Sequence, residues 1–280
     1  MPPVAEFAVL QGLLLRALVA RFLAFPESPT LERWGARLHD QFMLPRLLWE
    51  DFRTLLVELA EAGYPFQAEW FEPLIERRFP VLGRCRWADI GFELRTAHEP
   101  WTVLAEEVTA GGVVRFLDLA NDRVQVCLTG LVPGRYVLEC NGERVPLRTT
   151  GVVGEAVSAV RFKAWNPPAT LHPTTLPIPA LVFDLIDTWN GRVVGGCTYY
   201  PARPGGWGVQ GTPLLGARPE EAGAGQEEPP LRHPQAPVGL PGWSSAGRFL
   251  SQGSGRSTAV AAPERSDPEH PYLLDLSFPH

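Results

Sequence analysis

Apolar residues in the first quarter of the chain recur at helical spacing. From residue 5 to about residue 78 they return at three- and four-residue steps, which places them on one face of a helix. The run over residues 7–25 is the most apolar of the chain and predicts a buried helix. Thr30 can cap a second helix, along which apolar residues recur at Leu31, Trp34, Leu38 and Phe42.

Proline and glycine residues divide the rest of this region. Pro45 ends the second helix, and a third predicted helix runs from there until Gly63, which can adopt the left-handed conformation that closes a helix. A shorter helix is predicted over residues 70–78. Together these segments predict an all-helical packing unit.

From residue 79 to about residue 201 the apolar period drops to two, which is typical of strands. Asn141-Gly142 and Asn190-Gly191 each offer two residues that tolerate positive φ, as a two-residue hairpin turn requires. Several short strands at this spacing predict an antiparallel sandwich or barrel. The predicted strands cover residues 113–119, 123–130, 135–141, 143–150, 156–165, 181–189 and 192–200.

The composition changes again after Tyr200. Residues 201–270 contain 11 prolines and 12 glycines, and such a stretch buries too little apolar surface to offset the entropy lost on ordering. It predicts disorder or an extended strap, with an edge strand docking at 271–278. The sequence thus predicts an α+β protein with a helical segment and its terminal strands at 1–100, an antiparallel β-domain at 101–205 and a Pro/Gly-rich, mostly disordered tail at 206–280.

Charge and cysteine usage exclude several classes of protein. A net charge of -6 gives no electrostatic footprint for nucleic acid. Arg16 and Arg21 interrupt the apolar run at 7–25, which lacks a basic leader, so we expect neither a signal peptide nor a membrane span. The four cysteines have no CxxC spacing, which argues against a zinc ribbon, and a disulfide framework is not expected in a chain of this length. These features predict a cytoplasmic protein.

The densest group of charged residues is GFELRTAHEP, residues 91–100. In a strand Glu93 and Arg95 share one face, so they can present a carboxylate and a guanidinium to one ligand. His98 and Glu99 can add acid-base groups or metal ligands. The alternative is that Glu93 and Arg95 pair with each other or with neighbouring strands on a solvated face, as charged strand residues commonly do.

Other candidates for chemistry are weaker. His39 and Asp40 are adjacent on a predicted helix, where their side chains point about 100° apart, so they cannot act as a facing pair and both are predicted at the surface. The sequence contains no phosphate-binding loop, dinucleotide fingerprint, HExxH or GxSxG motif. Cys197 has no activating base near it in the sequence, which favours an inert strand thiol.

Several segments, read in order, resemble a known family. They include FELRTAHEPWTVLAEE and, above all, DTWNGRVVGGCTYYPARPGG at 187–206. From Met1 to about Gly206 the chain is similar to the C-terminal region of the amidoligase family, a bacterial domain that usually follows a transglutaminase-like domain. The resemblance implies a glutamine-synthetase-like fold that joins a carboxyl group to an amine with ATP and Mg²⁺. On that pattern Glu93 is a metal ligand, and Glu93, Arg95 and Glu99 are the catalytic candidates.

The resemblance also implies partners. The chain resembles the end of a longer ligase, so we expect it to be inactive alone and to work with an upstream transglutaminase-like or ligase polypeptide, on peptide or amino-acid carboxylates and amines. The alternative is a non-catalytic module that docks on that polypeptide. In the hairpin at 187–200, Trp189, Cys197 and Tyr199 are expected to pack. The resemblance implies a substrate or partner surface formed by Asp187, Asn190, Arg192, Tyr200 and Arg203.

Overall fold

The architecture is given by a computed structural model. It describes residues 5–26, 30, 32–100, 102–109, 111–167, 170–201, 261–263 and 268–277, and the backbone of 247–252. Three α-helices precede the strands: α1 (Ala5–Ala24), α2 (Pro45–Glu61) and α3 (Glu72–Arg78). One π-helical turn at Leu38–Phe42 precedes α2, and one 3₁₀ turn at Ala68–Trp70 precedes α3.

The prediction of an α-helix after Thr30 is wrong. Among the described residues of this stretch only the π-helical turn at Leu38–Phe42 forms, because Gly35 adopts a left-handed conformation with φ of 55° and interrupts the helical path. Trp34 and Phe42 still meet, with ring centroids 4.2 Å apart. The end of α2 agrees with the sequence, since Gly63 has a φ of 92° just beyond Glu61.

Helix α1 packs on the other helices along one side only. Leu10, Leu14, Ala17 and Leu18 contact a cluster whose buried members include Leu59 and Phe71. The prediction of a buried helix is therefore wrong for most of its circumference, where apolar residues face solvent. These exposed residues are Val9, Leu13, Leu15, Val19, Phe22 and Leu23.

Within the described residues, α1 is also the one helix that is long and apolar enough to cross a membrane. Length and composition alone support that statement, and core helices and signal sequences have the same properties. Arg16 lies in the middle of the helix. A charged side chain at that depth is costly in a bilayer.

The strands form two larger sheets and one separate ribbon. The first sheet has the order β1-β2-β5-β9-β13, with β8 also paired to β9, and the second has the order β12-β11-β10-β6-β7. The ribbon consists of β3 and β4. The strands are β1 (Val81–Trp87), β2 (Ile90–Thr96), β3 (Thr102–Thr109), β4 (Gly112–Asp118), β5 (Asn121–Thr129), β6 (Tyr136–Cys140), β7 (Glu143–Arg144), β8 (Arg148–Thr149), β9 (Ala156–Lys163), β10 (Leu181–Asp187), β11 (Arg192–Pro201), β12 (Gly247–Gln252) and β13 (Leu273–Asp275).

The two larger sheets enclose the main core. Alternate residues of the first sheet, such as Phe92 and Val126, contact Leu138 and Phe183 of the second. The rings of Phe92 and Phe183 lie 5.4 Å apart. This arrangement confirms an α+β protein with a sandwich-like β-region, as the period of two predicts.

Turn chemistry explains the local differences from prediction. At Asn141 and Gly142 both residues have positive φ, 52° and 84°, as the hairpin prediction requires. At the second turn Gly191 has positive φ and Asn190 does not, and a longer turn joins β10 to β11. The single strand predicted over 143–150 is instead two short strands, β7 and β8, in different sheets. Pro146, which cannot donate a ladder hydrogen bond, lies between them.

Strands from distant parts of the sequence share the first sheet. β2 pairs with β5, so the boundary predicted at residue 100 lies between two strands of one sheet. Within the segment 271–278, β13 pairs in parallel with β9. Within the predicted tail, β12 pairs with β11. Residues 202–246, to which the prediction of disorder mainly applies, lie outside the described residues.

Candidate functional site

The face of the first sheet that points away from the sandwich core carries charged residues. Period-two alternation places Phe92 and Leu94 in the core and turns Glu93 and Arg95 to the opposite face. The register puts Arg95 beside Gln125, and Arg123 of β5 beside Arg161 of β9. The π-helical turn, the start of α2, and α3 contribute partners on this side. The charged face is therefore half enclosed, which strengthens its electrostatic contacts.

Glu93 and Arg95 lie together and are engaged by protein groups. Arg84 Nη2 lies 2.6 Å from Glu93 Oε2, and Arg95 Nε donates to Glu93 Oε1 at 3.0 Å. Arg95 also donates to the Phe79 carbonyl at 2.9 Å and to Glu76 at 2.8 Å. Burial lowers the pKa of Arg95, but the bonds to Glu93 and Glu76 outweigh it and raise that pKa overall. The mutual pairing that the sequence left open is thus present.

These contacts decide whether the pair fits a metal-nucleotide site. Both carboxylate oxygens of Glu93 already accept from a guanidinium, and Mg²⁺ would have to displace one of them. Nor do the described residues contain a group of three His, Cys, Asp or Glu side chains placed to hold a metal ion. Glu93 and Arg95 therefore do not fit the Mg²⁺-ATP role that the resemblance implies for them.

A cavity of about 300 Å³ adjoins this pair under α2. Its wall includes Arg46, whose backbone N–H donates to Gln125 at 2.8 Å and whose side chain donates to Glu155 at 2.7 Å. Cys127 also lines it, and burial raises the pKa of this thiol to about 12. Cys127 is therefore protonated at neutral pH and is not a nucleophile.

Glu99 belongs to a different cluster. Its two oxygens accept from Arg123 Nε and Arg161 Nε, each at 2.8 Å. Two like charges directly opposite each other on neighbouring strands repel, and the single Glu99 carboxylate, which bonds to both, offsets part of that repulsion. Arg161 also donates a hydrogen bond from Nη1 to Asp275 of β13 at 2.9 Å. Of the three catalytic candidates, then, the fold brings Glu93 and Arg95 together and places Glu99 in this second network.

The network continues from Arg123 to Asp40 and then to a histidine. Arg123 Nη1 donates to Asp40 Oδ1 at 2.5 Å, and Asp40 Oδ2 contacts Nδ1 of His270. Asp40 is buried, so its predicted surface position is wrong. A carboxylate accepts hydrogen bonds, so the proton of this contact is assigned to Nδ1 of His270, and Nε2 is the ring nitrogen that Asp40 does not contact.

His39 takes no part in that contact, as the geometry of adjacent helical residues predicts. Its ring stacks on His98 with centroids 5.5 Å apart. Burial lowers the pKa of His98, and the nearby charges of His39, Arg78 and Arg123 lower it further. Asp40 thus has a histidine partner, but that partner lies 230 residues away in the sequence. Adjacency in the sequence gave no signal for it.

A cavity of about 510 Å³, called here the Glu99 cavity, opens beside this network. Its wall includes the two histidines His39 and His270 and the apolar residues Leu273 and Leu274. Four carboxylates and two guanidinium groups of the described residues line it. These charged groups are Asp40, Glu99, Glu143 and Asp275, with Arg123 and Arg161.

The hairpin residues at 187–200 occupy another part of the fold. Asp187 accepts from Arg135 at 2.7 Å, and from Asn190 also at 2.7 Å. The bond to Arg135 contributes most to lowering the pKa of Asp187 to about 2. Trp189, expected to pack, is 66% exposed, with the Arg135 guanidinium 5.1 Å from its ring centroid. This turn is a small electrostatic cluster of its own.

The other members of the proposed hairpin surface are spread out. Arg192 is exposed and pairs with Asp187 in the register of β10 and β11. Tyr200 lies eight residues further along β11, near its opposite end. Cys197 and Tyr199 between them are buried, as expected. Arg203 lies outside the described residues.

Comparison with known protein families gives a match. The family model described as "Putative amidoligase enzyme (DUF2126)" matches residues 1–277. No curated protein and no solved structure matches the chain.

Proposed function

Because the chain belongs to the amidoligase family, as its resemblance predicted, we propose that it acts in ATP-dependent formation of a carbon–nitrogen bond by binding an organic substrate in the Glu99 cavity. Family membership supports a ligase-like function. The observation that carries the assignment to this cavity is the Asp40–Arg123–Glu99–Arg161 network on its wall. A cavity with a few fixed polar groups is the usual form of a small-molecule site.

The network is suited to orientation of a substrate. Glu99 and Asp40 are held by buried guanidinium contacts, so a bound molecule meets charges whose positions are already fixed. Groups held in place before binding lose little entropy when the substrate arrives. The carboxylate and amine substrates that the family resemblance implies are both compatible with a wall that contains either sign of charge.

ATP and Mg²⁺ belong, in this proposal, to an upstream ligase or transglutaminase-like polypeptide. The support is chemical: Glu93 and Arg95 neutralise each other and their neighbours. The chain then needs that partner for turnover and is inactive alone. We expect both to act in the cytoplasm.

Thermal unfolding with and without MgATP, with MgADP as a control, tests where the nucleotide binds. We expect no shift in midpoint for the isolated chain, because a ligand stabilises a protein only when it binds the folded state. A reproducible shift that disappears in Glu93→Ala would place a nucleotide site here and contradict the proposal.

Reconstitution with the upstream polypeptide tests the cavity. Amide formation should then require both chains, and Glu99→Gln should lower kcat/KM by at least about tenfold, since it removes the charge that holds Arg123 and Arg161. Glu107→Gln, on the exposed ribbon, is the matched control and should leave kcat/KM unchanged. Equal activity of all three proteins would show that the cavity has no role in the reaction.

A second candidate function is docking, for which α1 gives a specific observation. This helix exposes apolar side chains over most of its circumference, and such a surface in a folded protein marks an interaction site. We propose the upstream polypeptide as the partner. Leu13→Glu should then weaken association in a co-expression assay, whereas Gln11→Glu, an exposed polar position on the same helix, should not. Equal association of both variants would exclude α1 as the contact.

A further inference from the structure

Two of the four cysteines meet at a corner of the sandwich where the two sheets come close together. Among the described residues β1 ends the strand order of the first sheet, and Cα atoms of β1 and β11 approach within 8 Å of each other. Packed sheets usually lie about 10 Å apart, so this corner is narrow. The Trp87 ring lies directly against Gly195, which has no side chain to hold the two strands apart.

Cys85 and Cys197 lie beside that contact. Cys85 precedes Trp87 by two residues and Cys197 follows Gly195 by two, so the alternation of side chains turns both thiols into the same corner. Burial first, and then a hydrogen bond with the Cys85 thiol, raise the pKa of Cys197. Both cysteines are free; Cys197 is buried, whereas Cys85 is half-buried. The two thiols are therefore in contact, and one of them is reached from solvent.

We propose that Cys85 and Cys197 are a site of reversible oxidation, at which a peroxide converts the two thiols into a disulfide that joins the two sheets. This inference does not depend on the proposed function. A disulfide requires Cα atoms about 4.4–6.8 Å apart, a separation that sheets at their usual distance do not reach and that this narrow corner approaches. In the cytoplasm, where we expect the chain to act, disulfides are usually transient or redox-sensing.

The half-exposed Cys85 reacts first. Its thiolate attacks one oxygen of hydrogen peroxide and the O–O bond breaks, which gives a sulfenic acid and a hydroxide that takes up the thiol proton to become water. The sulfur of Cys197 then attacks the sulfur of Cys85, the S–O bond breaks, and the departing hydroxide takes the Cys197 proton as a second water. The two thiols together lose two electrons and two protons, and the peroxide gains them.

The other two cysteines are not placed for this bond. Phe183 of β10 pairs with Cys140 on one side and with Cys197 on the other. Two strand spacings, about 9–10 Å, therefore separate these two cysteines, which is beyond the reach of a disulfide. Cys127 pairs with Glu93 in the register of β2 and β5 and lies on the charged face, away from the sandwich core. Oxidation should thus give one specific pairing.

Peptide mapping by mass spectrometry tests that pairing. The full chain is reduced, freed of reductant and treated with hydrogen peroxide; its remaining thiols are blocked with N-ethylmaleimide in urea, and it is digested with chymotrypsin. We expect linked peptides of Cys85 and Cys197 that dithiothreitol separates, with Cys127 and Cys140 blocked. A chain unfolded in urea before the peroxide is added should lose this preference, because contact in the fold selects the pair.

Thermal unfolding measures the effect of the bond on the fold. The disulfide closes a loop of roughly 110 residues, and this constraint on the unfolded chain should raise the midpoint by about 5–10 °C until dithiothreitol reverses it. Cys197→Ala should abolish the response to peroxide. Cys140→Ala, which removes another buried thiol of the same sheet, is the matched control and should keep it. Each variant is compared with itself before oxidation, so its own loss of stability cancels.

Two results on the wild-type chain would overturn the inference, whether or not a variant folds. Cys85 and Cys197 both blocked after peroxide treatment of the folded protein would show two packed thiols that do not react. Sulfinic acid on Cys85, or a bond between Cys85 residues of two chains, with Cys197 still free, would show that Cys197 does not resolve the first product. Amide formation by the reconstituted chains concerns the proposed function alone.

Discussion

Removal of the Arg123 side chain should destabilise the fold strongly. This side chain is 3% exposed and joins the side chains of Asp40 and Glu99, which are 3% and 8% exposed. In Arg123→Met both carboxylates stay buried and lose a partner. Loss of one member of a buried ion pair costs about 3–5 kcal/mol, mainly as the desolvation of the charge left behind.

Urea unfolding measures this cost, provided that the slope of the transition stays constant while its midpoint falls. The matched control is Arg115→Met on the exposed ribbon. Arg115 lies 2.6 Å from Glu106, with side chains 63% and 50% exposed, so its removal should cost under about 1 kcal/mol. The two variants lose the same charge and differ in burial. Equal midpoints would refute the argument that burial sets the value of this network.

Three further predictions follow from particular contacts. Because the pKa of Asp187 is lowered to about 2, chiefly by Arg135, its contribution to stability is fully present above about pH 3.9 and is lost as the pH falls through about 2. Acid unfolding of Asp187→Asn should lack that pH dependence; an unchanged profile would contradict this. Gly195→Ala places a Cβ 2.3 Å from the buried Trp87 ring and should cost about 1–3 kcal/mol in urea unfolding, and a neutral result would show that the ring can move. Cys127, whose pKa is raised to about 12, should resist alkylation at neutral pH until urea unfolds the chain, as mass spectrometry would show; rapid labelling of folded protein would contradict its burial.

The sequence predicts the sandwich well because alternation is a local property. Along the β5 strand, Val124, Val126 and Leu128 form an apolar face and the alternate positions are mostly polar, which fixes which residues enter the core. The β3 strand was missed, since Glu106 and Glu107 are consecutive and break the alternation. The helix predicted after Thr30 failed because one glycine conformation, at Gly35, outweighs the apolar period.

The candidate site was only partly predictable for a different reason. Glu93 and Arg95 are two residues apart, so a strand model alone places them together. Asp40 and His270 are 230 residues apart, and their meeting depends on where β13 docks. Neither residue has an unusual sequence context. Long-range pairing of this kind carries no periodic signal and follows from the completed topology.

The late position of His270 has a consequence for how the site forms. Joining it to Asp40 closes a loop of 230 residues, and the strand that follows it, β13, is added in parallel to β9 from 114 residues away. Loop-closure entropy rises slowly with length, but contacts of such high sequence separation slow folding. During synthesis the rest of the sandwich can assemble before residue 270 leaves the ribosome. The cavity wall can therefore gain His270 only after most of the scaffold around it has been synthesised.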